Sequence, residues 1–225
     1  MEGFWEVPLF GQMVNLNTLI MVWSAMLLIL ALAWGFTRNL QVVPSKGQVV
    51  GEGFFEICRG ITMATAGKRG DSFLFFIGSL FLFILTANLM GQLPLRLIPI
   101  PHGELKAATA DLNTTSALAI MTVIMYFAVG IKKKGLSYFK HYFTPNPAFF
   151  PLNLLEDFTR PGSLLIRLYF NILVGEILSG IAMSVMPYVL PSLVIFLELF
   201  VAVVQAYIFA ILSSVYVSIL SEDHH

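Results

Sequence analysis

The sequence predicts an all-α membrane protein, and three observations lead to that fold class. Of the 225 residues, 57% are hydrophobic and 12% are charged, whereas soluble domains carry roughly 25% charged residues. The mean hydropathy is +0.82, and the apolar residues are gathered in long runs. The regular alternation over segments of about 10 residues that is typical of a transmembrane β-barrel does not occur, which favours helices.

Three apolar runs have the length of simple transmembrane helices. Each has about 20 residues, enough to cross a hydrocarbon core of roughly 30 Å; they are residues 18–37, 73–93 and 112–131. Between the first two, residues 46–66 mix charged with aromatic and aliphatic side chains, which predicts an amphipathic helix lying at the membrane surface. A proline-rich loop at 94–109 and an aromatic, proline-rich connector at 135–152 are expected to lie outside the membrane.

Two longer helices are predicted at 153–186 and 192–220. At about 1.5 Å per residue each is on the order of 45 Å long, more than the hydrocarbon core, so they are expected to be strongly tilted, kinked or partly outside the membrane. Pro161 offers a place for a kink. A short turn between Pro187 and Pro191 would make the two helices antiparallel. The whole chain, residues 1–225, is interpreted as one membrane domain without an inverted repeat.

The basic residues predict the orientation of the chain. Positive residues are enriched in cytoplasmic loops, and here they are Arg38, Lys46, Lys68, Arg69 and Lys132–Lys134. This distribution predicts that the N-terminus and the proline-rich loop face outside, and that the C-terminus faces the cytoplasm.

Composition also excludes several kinds of site. The single cysteine, Cys58, excludes an internal disulfide and a multi-cysteine metal site. The four histidines have no metal-ligand spacing, and no phosphate-binding loop occurs. A formal net charge of zero gives no bulk attraction for nucleic acid. We therefore expect no metal, no cofactor and no nucleic-acid partner, with membrane lipid around the chain.

The most informative polar residues lie within the two long apolar helices. They are Arg167, Asn171, Glu176, Glu198 and Gln205. A guanidinium does not shed its charge and costs at least a few kcal/mol at membrane depth, so Arg167 is expected to have a task or a partner. Asn171 is four residues on and shares its face. Glu176 is nine residues on, about half a turn away and roughly 13 Å along the axis, which excludes a simple intrahelical ion pair.

Antiparallel packing of the two helices would bring Gln205 near Arg167. The same packing would bring Glu198 near Glu176, and two carboxylates at low dielectric could line a hydrated path and relay protons. Amides and hydroxyls that could extend this path towards the outer loop are Asn88, Gln92, Asn113, Thr114 and Thr115.

Each of these residues also has a purely structural interpretation. Arg167 could extend its guanidinium to the membrane interface. The two carboxylic acids could be buried and neutral. The amides of Asn171, Gln205, Asn88 and Gln92 could simply join one helix to another.

Four segments together resemble a known family. Arg167–Glu176 (RLYFNILVGE) is similar to the signature of subunit a of the rotary F-type ATP synthase. Thr86–Pro94 and Thr109–Thr115 resemble two further motifs of that family, and Gln205–Phe209 followed by the ending SEDHH resembles its C-terminus. The resemblance covers residues 18–225, and four motifs in the family's order make it specific.

The resemblance implies a membrane stator beside a rotating ring of c subunits, with the two long helices against the ring. Arg167 matches the family's essential arginine, and Gln205 matches the glutamine that faces it. Asn171 and Glu176 match channel positions, whereas Glu198 stands where some members carry a histidine. At 169–170 the chain has Tyr-Phe instead of the commoner Phe-Gly pair, without a clear effect on mechanism.

The function predicted from this resemblance is proton translocation by a non-catalytic subunit. It would provide two aqueous half-channels, and its partners would be the c-ring, the b subunit of the peripheral stalk and the remaining ATP synthase subunits. Length and style favour a bacterial inner membrane over a thylakoid. A self-contained ion channel or secondary transporter, and a membrane scaffold without transport, are the competing interpretations; the lack of an acidic partner for Arg167 and of internal symmetry favours the stator.

Overall fold

A computed structural model describes residues 6–9, 12–92, 106–135 and 150–221 of the chain. Most of the predicted proline-rich loop and connector, and the charged ending, lie outside these residues.

Six α-helices run through the described part of the chain. They are α1 (Leu16–Thr37), α2 (Lys46–Ala66), α3 (Leu74–Gln92), α4 (Leu112–Lys134), α5 (Phe150–Val185) and α6 (Val189–Ser221). All except α2 are long and apolar enough to cross a membrane. The predicted all-α membrane fold class is thereby confirmed. With 36 and 33 residues, α5 and α6 are about 54 and 50 Å long at about 1.5 Å per residue.

Local sequence accounts for several helix boundaries. The side chains of Asn15, Ser45 and Asp111 each accept a hydrogen bond from a backbone N–H of the first turn of α1, α2 and α4, so all three helices have a side-chain N-cap. Gly67 and Gly135 follow α2 and α4 with φ of +56° and +57°. Glycine adopts this left-handed conformation without the steric cost of a Cβ, which explains why these two helices stop there.

Three details differ from the expectations or add to them. A short antiparallel hairpin of β1 (Glu6–Leu9) and β2 (Gln12–Asn15) precedes α1 and was not predicted. The turn between the long helices was expected to extend to Pro191, and this was wrong: α6 begins at Val189. Pro191 occupies its first turn, where the N–H that proline lacks has no intrahelical acceptor. Helix α5 continues through Pro161.

Helix α6 is the centre of the bundle, since it packs against α2, α3, α4 and α5. The main core includes Phe209 and Val217 of α6, Ile77 and Ile84 of α3, and Leu168 of α5, all of them fully buried. A smaller cluster joins α1 to α3 through residues such as Met21 and Ala87.

An exposed apolar surface runs along the second half of α5 and the first half of α6. The larger exposed side chains on it include Phe170, Val174, Ile177, Phe196 and Phe200. In a membrane protein such a surface is in contact with lipid or with a second protein. Arg167 lies within this surface.

Candidate functional site

A hollow of about 410 Å³ opens between α5 and α6 on this surface. Its lining consists of one cation, two amides and a ring of apolar side chains: Arg167, Phe170, Asn171, Val174, Phe200, Val201, Val204 and Gln205. The structure thus brings Arg167, Asn171 and Gln205 together, as helical spacing and antiparallel packing predicted.

Arg167 is exposed on the side of the bundle, although its neighbours in the chain are anchored. Leu164 and Leu168 are fully buried in the core and fix this turn of α5. Within the described residues Arg167 makes no ion pair and no hydrogen bond. Its charge therefore points out of the packed bundle and is available to a group that this part of the chain does not supply.

Gln205 forms the buried wall of the hollow. It is only 4% exposed, and its Nε2 has no hydrogen-bond partner among the described residues. A buried amide donor without a partner costs about 1–3 kcal/mol. The hollow therefore contains an unused donor beside an unpaired cation, and a carboxylate could satisfy both.

The side chain of Glu198 contacts α5 directly before Glu176, at some distance along the two helices from the hollow. A Cβ added to Gly175 would lie 2.7 Å from Oε1 of Glu198 and 3.0 Å from its Cδ. The Glu198 side chain of α6 therefore rests on the backbone of α5 immediately before Glu176. Only glycine at position 175 leaves room for this approach.

Glu176 has a partner that the sequence did not suggest. Lys106 Nζ lies 3.1 Å from Glu176 Oε2, and the two side chains are 45% and 19% exposed. The sequence carried one signal for this pair: Lys106 is a basic residue in a loop predicted to face outside, contrary to the usual bias of basic residues towards the cytoplasm.

The segment that carries Lys106 is held firmly against α3. Thr109 Oγ1 donates a 2.6 Å hydrogen bond to Oδ1 of Asn88, and both side chains are buried. A Cβ added to Gly91 would overlap with Ala107, so the backbone of α3 approaches the segment closely. Asn88, expected to line a path or to join helices, thus joins α3 to this segment.

Asp111 connects three elements at the same end of the bundle. Its Oδ2 accepts a 2.9 Å hydrogen bond from Thr18 of α1, and its Oδ1 accepts a 2.8 Å bond from the backbone N–H of Asn113. The buried hydroxyl of Thr115 bonds carbonyl oxygens of its own helix. Asn113 is exposed, and Gln92 and Thr114 are half-buried.

The C-terminal end of α6 is joined to α2 by hydrogen bonds of hydroxyl groups. The hydroxyls of Thr65 and Ser214 are hydrogen-bonded to each other, and Ser218 donates a 3.0 Å bond to the carbonyl of Thr65. The guanidinium of Arg160 lies over the ring of Tyr216, 5.6 Å from its centroid.

The fold and the hollow together define a multi-pass helical membrane protein whose two longest helices carry ionisable residues within segments long and apolar enough to cross a membrane. The sequence matches the family model for the ATP synthase A chain over residues 19–218. The chain belongs to that family, which confirms the resemblance found in its four motifs. Membership makes it a proton-translocating subunit of the ATP synthase membrane sector.

Proposed function

We propose that this chain is the non-catalytic stator of an F-type ATP synthase, and that it offers two aqueous half-channels to a rotating ring of c subunits. Arg167 is the residue that a carboxylate on the passing ring would meet. The observation that carries this proposal is the hollow between α5 and α6: an exposed arginine without an ion-pair partner in the described residues, beside a buried Gln205 donor without a hydrogen-bond partner.

The mechanism follows from the cost of charge in lipid. A ring carboxylate that has taken up a proton from one half-channel is neutral and can rotate through lipid, whereas an ionised one cannot do so cheaply. When the site reaches Arg167, the cation favours the ionised carboxylate, whose proton leaves through the other half-channel. The fixed positive charge of Arg167 also repels protons that would pass directly between the half-channels. A potential of 100 mV supplies about 2.3 kcal/mol per proton, so several protons must pass for each ATP.

The roles of the other residues follow from their positions around this contact. Asn171 and Gln205 would hold the ring carboxylate beside Arg167. Glu176 and Glu198 would relay protons within the outer half-channel, close to the segment fixed by Asn88. We propose Gln92, Asn113, Thr114 and Thr115 only as more distant lining of that path.

The proposed assembly extends beyond the ring. The b subunit of the peripheral stalk would hold this chain against rotation, and the remaining subunits would carry out the ATP chemistry. We propose a bacterial inner membrane because of the general length and style of the chain. The distribution of basic residues supports an N-terminus outside and a C-terminus in the cytoplasm.

The decisive experiment replaces Arg167 in the intact, purified complex. ATP-driven proton pumping is measured in proteoliposomes by the quenching of an acridine dye. We expect Arg167→Ala to abolish pumping, and Arg167→Lys to restore little of it, because a lysine lacks the planar, two-pronged geometry of arginine. Co-purification of the c-ring verifies that each variant complex is assembled.

Arg38→Ala is the matched control, since Arg38 stacks on Trp34 at the end of α1, far along the chain from the hollow. This variant should pump like the unmodified complex. Normal pumping by an assembled Arg167→Ala complex would refute the proposed mechanism, and ion flux through the purified chain alone would support a self-contained channel instead.

A further inference from the structure

We propose that Lys106 is a tethered counter-ion that keeps metal cations away from Glu176 and Glu198 and so reserves the outer path for protons. The inference rests on the proposed function, because it assigns a specificity to the same carboxylates.

The position of Lys106 suits this task. Its ammonium lies 3.1 Å from Glu176 Oε2, and the lysine side chain is the more exposed member of the pair. The ammonium therefore covers the carboxylate from the open side, where an ion arriving from solution would approach. A metal cation has to displace this ammonium before it reaches Glu176.

The backbone that follows Lys106 is held in place by contacts with α3. Ala107, Ala108 and Thr109, which follow it, are buried, and Thr109 is hydrogen-bonded to Asn88. The close contact between Gly91 and Ala107 holds the same segment against α3. These contacts keep the ammonium of Lys106 close to Glu176.

The second carboxylate explains why a counter-ion is needed. Glu198 rests on the backbone of α5 at Gly175, the residue before Glu176, so that α6 brings a second carboxylate to this part of α5. Carboxylate oxygens are the ligands that hard metal cations prefer. Without Lys106, a sodium ion arriving there would meet Glu176 without the ammonium group that now pairs with it.

A proton differs from a metal cation in how it passes this point. It arrives through hydrogen-bonded water and binds to a carboxylate oxygen, which neutralises Glu176 and removes the attraction that holds the ammonium. Lys106 keeps its own three protons and swings aside; when Glu176 passes its proton on, the ion pair re-forms. A metal cation, by contrast, has to approach Glu176 while the ammonium is still bound there, and the two positive charges repel each other.

The test measures inhibition by Na⁺ in the assembled complex. ATP-driven proton pumping in proteoliposomes is titrated with NaCl on the Lys106 side, and choline chloride keeps the ionic strength constant. We expect pumping by the unmodified complex to be halved only at a high Na⁺ concentration. For Lys106→Ala, the Na⁺ concentration that halves pumping should fall by at least about fivefold, the smallest effect expected for a fully hydrated charge pair.

Chemical rescue separates the charge of Lys106 from a structural role. Lys106→Cys is modified in detergent, after assembly and before reconstitution. An aminoethyl thiosulfonate, which rebuilds an ammonium on the side chain, should restore resistance to Na⁺, whereas a sulfonatoethyl reagent should not. The unmodified chain treated in the same way controls for reaction at the buried Cys58, and Lys46→Ala controls for the loss of a lysine elsewhere.

The outcomes distinguish this inference from the proposed function. If Lys106→Ala and Lys106→Cys respond to Na⁺ like the unmodified complex, the inference is wrong, even when Arg167→Ala has abolished pumping. Rescue by both thiosulfonate reagents would also overturn it, because the sign of the charge would then not matter. Coupled Na⁺ transport by the unmodified complex would contradict it directly. If Lys106→Ala fails to assemble, the inference is tested by the Na⁺ resistance of Lys106→Cys before and after modification.

Discussion

The two halves of α6 differ in how far their side chains are buried. In its second half, Phe209, Ala210 and Val217 are completely buried against neighbouring helices, and Ser214 is hydrogen-bonded to α2. In its first half, Phe196 and Phe200 are 69% and 65% exposed. Both halves are strongly apolar, so that hydropathy does not separate them.

The difference shows how one helix can anchor a fold and also present a surface. Gln205 lies where the buried half begins, and its amide reaches the hollow that contains Arg167. The packed half fixes the position of the glutamine, and the open half leaves the arginine accessible. Substitutions in the packed half should therefore act on stability, and substitutions on the open surface on transport.

The largest effect should come from Phe209→Ala in the packed half. It removes a fully buried ring and leaves a cavity, which we expect to cost about 3 kcal/mol, the low end for such changes because the unfolded helices remain in detergent. Unfolding by SDS in mild detergent measures this loss. Phe200→Ala, on the exposed half, is the control and should change stability by less than about 0.5 kcal/mol; equal losses in both variants would remove the distinction between the halves.

Gly175→Ala, in contrast, should slow proton pumping and leave stability almost unchanged. The added methyl group would displace the Glu198 carboxylate, the flexible end of a side chain, so that stability should hardly change. Misplacing a relay group by about 1 Å is expected to slow proton pumping roughly tenfold. Gly180→Ala is a matched control, because a Cβ at Gly180 meets nothing within 4 Å. Unaltered pumping in Gly175→Ala would argue against a relay role for Glu198.

A smaller effect is expected where α6 is fastened to α2. Ser214→Ala removes the partner that the Thr65 hydroxyl has on α6, while its bonds to carbonyl oxygens of α2 remain, and should cost about 0.6–1 kcal/mol in the same SDS assay. Ser192 provides the comparison, because its exposed hydroxyl bonds the Val189 carbonyl of its own helix and no other helix among the described residues. If Ser192→Ala is as destabilising as Ser214→Ala, the hydrogen bond between helices adds nothing.

The last prediction concerns the rate at which Cys58 of α2, which is buried against α3, reacts with a labelling reagent. Burial raises the pKa of the Cys58 thiol. Alkylation requires the thiolate, so a raised pKa leaves less reactive thiolate at pH 8. We expect maleimide to label Cys58 at least about tenfold more slowly than an exposed cysteine made by Gly60→Cys in a Cys58→Ala background. Comparable labelling rates would mean that α2 separates from α3 in solution.

The sequence predicted the parts of the fold that depend on local pattern. Apolar runs and one amphipathic segment predicted the six helices, with bounds within three residues of those observed. The spacing of four residues placed Asn171 beside Arg167, and the short turn brought Gln205 to the same hollow. These predictions succeeded because helix periodicity and antiparallel packing leave little freedom.

The features that the sequence did not predict depend on contacts between distant segments. Lys106 and Glu176 are 70 residues apart, and no periodicity relates a loop residue to a residue in the middle of a helix. The early hairpin at Glu6–Asn15 is short and has few residues to signal it. Proline often marks a turn, but the first turn of a helix accepts it equally well, so the presence of Pro191 alone does not distinguish the two.

The central place of α6 also has a consequence for biosynthesis. This helix leaves the ribosome after the four helices against which it packs, and the Thr65 hydroxyl meets Ser214 only after 149 further residues have been made. At about 5–20 residues per second, that interval is roughly 7–30 s. During this time Ile77 and Ile84 of α3 must be shielded by lipid or by the insertion machinery, so that the arrival of α6 closes the bundle in a single late step.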